Sequence, residues 1–129
     1  MRLDERSENN LKGVHDDLVN VVRRAAAISE CPFIVTEGLR TMKRQRELVA
    51  AGASKTLRSR HLTGHAIDFA PLVGGEVTWK WPPFAIVAAA FKRAAAELNT
   101  PISWGGDWRT FRDGPHIELD RKRYPATEA

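Results

Sequence analysis

The stretch Ser59-Arg60-His61-Leu62-Thr63-Gly64-His65-Ala66-Ile67-Asp68-Phe69-Ala70 decides how the chain is read. His61 and Asp68 stand seven residues apart, on either side of a glycine that permits a tight turn. From Ala66 to Ala70 the sequence is apolar except for Asp68, and it reads as a buried strand. An unpaired carboxylate is costly to bury, so Asp68 calls for a cation, a metal or several donors.

A second stretch supplies the partner. Trp104-Gly105-Gly106-Asp107-Trp108 leads to Asp113-Gly114-Pro115-His116. His116-Ile117-Glu118-Leu119 then alternates polar with apolar, which puts His116 and Glu118 on one face of a half-buried strand. His61, Asp68 and His116 make a three-ligand set for one zinc ion per chain. Three protein ligands leave one coordination position open for water, as a catalytic zinc needs and a structural zinc avoids. Asp113, three residues before His116, is the candidate carboxylate to take that water's proton. A lone strand histidine is more often a hydrogen-bonded core or surface residue, so the assignment rests on the combination.

Outward from these stretches, apolar residues at helical spacing predict an amphipathic helix from about Leu11 to Ser29. Phe33 to Thr36 reads as a strand. Thr41 is a plausible N-cap for a helix over Met42 to Ala51, with Gly52 as its stop. Arg40 thus falls at a strand-to-helix junction, where a side chain can enter a cleft. A polar, basic loop over 53–60 follows. Trp79 and Trp81 sit in a loop over 71–83, where they are either core caps or platforms for sugars or peptides. Phe84 to Leu98 is a second strong helix, with Ile86, Val87, Ala90, Phe91, Ala94 and Leu98 expected inside. Ile102 to Trp104 is a further strand, and the polar tail over 120–129 is expected to fray.

With 129 residues, 43% hydrophobic and 28% charged, the chain has room for one domain with a real core. The expected extent is the whole chain, with a core over about 11–120 and polar termini. Cys31 is the lone cysteine, which excludes an intramolecular disulfide and a thiolate zinc cluster. No stretch has the apolar length of a membrane span. Residues 1–12 are polar and charged, so an export signal is not expected and the protein should remain in the cytoplasm. The net charge of +4 suits a polyanionic partner, either nucleic acid or the acidic polymers of a cell wall. A nucleic-acid face would cluster aromatics with basic residues, whereas the aromatics here gather near the zinc motif, so nucleic acid is not expected as a partner.

The combination His61-x-x-Gly64-x-Ala66-x-Asp68, Trp104-Gly105-Gly106-x-Trp108 and Asp113-x-x-His116, preceded by Gly38, Arg40, Gln45 and Ser59, resembles a family of zinc peptidases. That family includes D-alanyl-D-alanine carboxypeptidases and phage L-alanyl-D-glutamate endopeptidases. The resemblance runs from Thr36 to Leu119 and implies the small α+β fold shared with the Hedgehog signalling domain, a central antiparallel sheet backed by helices. It implies that His61, Asp68 and His116 hold zinc, that Asp113 is the catalytic base, and that Arg40 holds the substrate or the developing oxyanion. Aspartate at 113, the Trp-Gly-Gly-Asp-Trp stretch and the short chain resemble the phage endopeptidases more than the carboxypeptidases. The expected substrate is therefore the L-alanyl-D-glutamate bond of peptidoglycan stem peptides. D-alanyl-D-alanine carboxypeptidase activity is the alternative, and a non-catalytic metal-binding domain is less favoured.

Ser59 and Trp104 join Arg40 as expected substrate-binding residues, although Ser59 could equally be a turn residue. Gln45, His65 and Glu118 are expected to support the ligands from behind, with a surface position open for His65 and a solvated one for Glu118. A phage enzyme of this kind is expected to act as a monomer. It would wait in the host cytoplasm until a holin-like factor opens the inner membrane to the wall.

Overall fold

The computed structural model describes residues 1–126; Thr127, Glu128 and Ala129, the end of the tail expected to fray, lie outside the described residues. The elements in chain order are α1 (Glu5–Asn10), α2 (Asp16–Ile28), β1 (Phe33–Glu37), α3 (Met42–Ala50), a 3-10 turn (Arg60–Thr63), β2 (Ala66–Val73), β3 (Glu76–Val77), α4 (Trp81–Glu97), β4 (Ile102–Trp104), a second 3-10 turn (Gly105–Asp107) and β5 (His116–Leu119). The strands run β1-β2-β5-β4, with β3 paired to β2, and every pairing is antiparallel. This is the expected α+β class, an antiparallel sheet backed by helices.

Strand alternation divides the work of the sheet between its two faces. Ile67 and Phe69 of β2 and Ile117 and Leu119 of β5 are fully buried beneath the helices. Phe69 packs against Phe33, Phe84 and Phe91, at ring separations of 6.0, 5.5 and 5.2 Å. The intervening residues, Asp68, His116 and Glu118, therefore point to the opposite face. Asp68 and His116 are direct partners in the β2–β5 register.

The helices differ from the expected boundaries for identifiable reasons. Residues 11–28 form a corner followed by a helix, because Gly13 adopts φ +82° and His15 becomes the N-cap of α2, its Nδ1 accepting from the Asp17 N–H at 3.1 Å. In α4, Trp81 and the two prolines after it form the first turn, where missing N–H groups cost nothing. Its buried face follows Phe84, Val87, Phe91 and Ala94. That leaves Ile86 and Leu98, expected inside, exposed. Thr41 caps α3 as expected, its hydroxyl accepting from the Arg44 N–H at 3.1 Å.

Residues 1–10 and Tyr124 take part in the fold. α1, which lies before the expected start of the core, covers β1: Ser7 Oγ accepts from the Val35 N–H and Asn10 Nδ2 donates to the Val35 carbonyl, each at 2.9 Å. The tail is held as far as Tyr124, whose hydroxyl donates to Asp17 Oδ2 at 2.6 Å and whose ring meets His15 edge-on. The loop expected over 71–83 instead continues β2 to Val73 and returns as β3 through Gly74-Gly75, both at positive φ as a tight hairpin demands. Among the described residues no helix is long and apolar enough to cross a membrane.

Candidate active site

The face of the sheet turned away from the core floors a groove of about 480 Å³, walled by α3 and the loop over 53–60 on one side and the loop over 108–115 on the other. His61 reaches this floor from the first 3-10 turn. Gly64 closes that turn at φ +75°, and a Cβ there would lie 2.5 Å from the Gly13 carbonyl oxygen, so only glycine fits against the α1–α2 corner. The corner is fastened at the same point, with the His15 N–H donating to the Gly64 carbonyl at 2.8 Å. His61 Nδ1–H donates to the Gly38 carbonyl at 2.9 Å, and the Arg40 N–H donates to the His61 carbonyl at 3.0 Å. The ring is thus held with bare Nε2 facing Asp68 Oδ1, 3.2 Å away.

His116 approaches the same oxygen from β5, with Nδ1 3.6 Å from Asp68 Oδ1. Its other nitrogen, Nε2, donates to Glu118 Oε1 at 2.9 Å. Glu118 is itself held by Arg121, Nε to Oε2 at 2.9 Å, and faces the buried Arg60 at 3.6 Å. Arg60 in turn donates to the Leu119 carbonyl at 2.8 Å.

The three ligand atoms of His61, Asp68 and His116 lie within 4.8 Å of one another. Around a tetrahedral zinc with bonds of about 2.0–2.1 Å, neighbouring ligands sit roughly 3.3 Å apart. The 3.2 and 3.6 Å spacings match that geometry. Each imidazole also has its far nitrogen tied to an acceptor, which fixes the near one as the metal donor. The residues present therefore fit a metal.

Charge is arranged to keep this site ready. Burial works against ionisation of Asp68 in the metal-free protein, but the adjoining His116 and His61 outweigh it and hold the carboxyl well below the usual range. Burial likewise disfavours a charged His116, yet Asp68 and Glu118 on either side push its pKa up to about 9 in the metal-free protein. Glu118 goes the other way, to about 2, because His116 and Arg121 overcome its burial. In the groove wall, Asp113 is half-buried, its N–H bonded to the Gly105 carbonyl at 3.0 Å. Its carboxyl is raised above the ordinary range, first by burial and then by the Asp68 charge.

Arg40 is the hub behind the ligands. Its Nε donates to Glu37 Oε1 at 3.0 Å and its NH1 to Gln45 Oε1 at 2.7 Å, while its NH2 also reaches Glu37. NH2 lies 3.9 Å from Asp68 Oδ2. Gln45, fully buried, passes the connection on to Ser54 at 2.8 Å and so anchors the wall loop.

The structure thus brings His61, Asp68, His116, Asp113, Arg40 and Glu118 together, gives Ser59 the turn position left open to it, and places Trp104 and His65 differently. Ser59 lines the groove, but its hydroxyl caps the 3-10 turn, accepting from the His61 N–H at 3.2 Å and from Arg40 at 3.4 Å. Trp104, expected at the substrate surface, is buried, its indole N–H donating to the Gly114 carbonyl at 2.7 Å. It supports the Asp113 loop from beneath, and the tryptophan that lines the groove is Trp108, 5.1 Å from the His116 ring. His65 is bonded to Thr63 at 2.7 Å and its ring lies tilted 5.7 Å from that of His15, so it braces the corner rather than a ligand. Arg60, Arg121, Lys55 and Phe111 also line the groove without having been singled out. Of these only Arg60, beside His61 in the motif, carried a sequence signal.

A metal-fitting cluster with a separate carboxylate beside it is the arrangement that metal-assisted hydrolysis requires. Comparison with known proteins narrows this further. Over residues 1–126 the chain matches the phage L-alanyl-D-glutamate peptidase family, and it belongs to that family. It is 35% identical over 127 residues to the L-alanyl-D-glutamate peptidase of Escherichia phage T5, covering 95% of this chain and 92% of that protein. With the L-alanyl-D-glutamate peptidase of Listeria phage A118 it shares 33% identity over 123 residues, 92% of this chain and 42% of that one. The crystal structure of the Serratia marcescens L-Ala D-Glu endopeptidase ChiX superposes with a TM-score of 0.93 at 54% identity, covering 98% of this chain and 95% of that chain.

Proposed function

We propose that this peptidase hydrolyses the L-alanyl-D-glutamate bond of peptidoglycan stem peptides with one zinc ion held by His61 Nε2, Asp68 Oδ1 and His116 Nδ1. The observation that carries the reading is the convergence of these three atoms on the floor of a groove that Asp113 also lines. When bound, zinc supplies a Lewis acid that polarises the peptide carbonyl and lowers the pKa of a water towards 7. Asp113 accepts the proton from the attacking water on its carboxylate and returns it to the departing D-glutamate nitrogen. Burial of that carboxyl in the groove wall favours its neutral, donor form for that second step. Arg40 brings a fixed positive charge to the ligand end of the groove, where negative charge develops on the carbonyl oxygen. Glu118 keeps His116 aimed, and Gly38 does the same for His61. The relatives named above are all L-alanyl-D-glutamate peptidases, which favours that bond over D-alanyl-D-alanine.

The test is digestion of purified peptidoglycan by the zinc-loaded and the chelator-stripped protein, followed by mass spectrometry of the new termini. Fresh amino-terminal D-glutamate, lost on stripping and restored by zinc, is the expected result. Released D-alanine would establish the carboxypeptidase alternative instead. We propose as well that the protein is a monomer retained in the host cytoplasm until a holin-like factor opens the inner membrane. Cells expressing the protein should then lyse only when permeabilised.

A further inference from the structure

Phe111 is held at φ +52°, a left-handed conformation that strains any residue with a side chain, and its ring is 73% exposed. Neither packing nor a tight turn of glycines accounts for a bulky aromatic at such a position. Strain retained at an exposed side chain points to contact with something outside the fold. Phe111 stands in the groove wall beside Asp113, and Lys55, from the opposite wall loop, places Nζ 5.5 Å from its ring centroid. Among the described residues Lys55, like Arg58 in the same groove, has no carboxylate partner, whereas Arg40, Arg44 and Arg121 there are paired with Glu37, Glu47 and Glu118.

The chemistry of the bond says which end of the substrate meets such a cation. On the L-alanine side of the bond there is only a methyl group. On the other side, D-glutamate continues the stem through its γ-carboxyl and leaves its α-carboxylate one carbon from the nitrogen that departs. We propose that Lys55 and Phe111 form the subsite for the D-glutamate residue, the ammonium pairing with its free α-carboxylate and the ring covering its methylenes. The proposal rests on the peptidase reading above.

Two soluble peptides test it, N-acetyl-L-alanyl-γ-D-glutamyl-L-lysine and the counterpart whose α-carboxyl is a carboxamide. Wild-type protein should show a KM roughly fivefold lower for the free acid, as one partly exposed ion pair allows. Lys55→Met should erase that preference by raising KM for the acid while kcat stays within about twofold. Phe111→Gly should raise KM for both peptides yet melt at the same or a higher temperature, since glycine adopts this φ without strain. Phe111→Tyr should restore KM. Equal KM values for the two peptides in the wild type, an intact preference in Lys55→Met, or a lowered melting temperature in Phe111→Gly would each overturn the subsite. Wild-type protein that cuts neither peptide and leaves no new D-glutamate terminus in digested peptidoglycan would overturn the peptidase reading itself, and the subsite with it.

Discussion

His116 donates Nε2–H to Glu118 Oε1 at 2.9 Å from two positions away on the same strand, and this bond leaves Nδ1 to face Asp68. A neutral amide in place of Glu118 can still accept that bond but loses the charge that favours it. Glu118→Gln should therefore weaken zinc binding about 10–100-fold with the fold intact, the usual worth of a carboxylate behind a ligand histidine. Competition against a chromophoric chelator measures this. Unchanged affinity would reduce Glu118 to a partner of Arg60 and Arg121.

Asp113 is absent from the ligand set, so Asp113→Asn should keep its zinc while activity falls by roughly two to four orders of magnitude. In the metal-free protein burial, and then the Asp68 charge, raise this carboxyl above the ordinary aspartate range. The same shift has a stability sign. A carboxyl raised in the folded state favours folding below its unfolded pKa and loses that contribution as pH rises through the folded pKa. Metal-free Asp113→Asn should thus melt at or above the wild type at pH 7, and the difference should shrink towards pH 3. Loss of zinc in this variant would make Asp113 a ligand.

Arg40→Lys keeps the charge but cannot serve Glu37 and Gln45 together, because one ammonium replaces a planar fork of donors. Turnover should drop sharply. Stability should fall as well, by about 1–3 kcal/mol, since the buried Gln45 amide oxygen loses its donor. Zinc content should be retained. Near wild-type turnover with a lowered melting temperature would leave Arg40 a purely structural role.

Gly64→Ala meets both a positive φ and the Gly13 carbonyl, so it must displace the turn that carries His61. It should cost more than about 1 kcal/mol and lower zinc affinity together. Gly52→Ala is the control: its φ is +76°, but no atom lies within 4 Å of the added Cβ. That variant should show the backbone cost alone, with zinc affinity unchanged. Equal zinc affinity in both would separate the glycine from the site.

How far the sequence could be read depended on which signals are local. The clustering of His61, Asp68 and His116 is legible because a carboxylate in an apolar strand has few explanations, and because period-2 alternation places His116 and Glu118 together without knowledge of the fold. The helix faces were legible in outline, but Ile86 and Leu98 were assigned inside because apolarity alone does not set the rotation of α4; the sheet it packs on does. α1 was not legible at all, since its buried contacts come from Ser7 and Asn10, two polar side chains whose partner Val35 is distant in sequence. The Gly74-Gly75 hairpin did carry a recognisable turn signal beneath its loop-like polarity. Trp104 and Trp108 differ in burial only because the turn at Gly105-Gly106 sends them to opposite sides. The strain at Phe111 exists only in three dimensions.

The two hydrogen bonds from α1 to Val35 have a consequence for handling the protein. β1 is an outermost strand, and the opposite outermost strand, β4, is only three residues long. With Ser7 and Asn10 occupying Val35, neither border of the sheet offers a long row of free amides on which a second molecule could add a strand. The polar opening residues thus act as a guard against self-association at the concentrations reached in an overproducing cell. A truncation that starts at α2 would retain every metal ligand and still convert β1 into a template for aggregation.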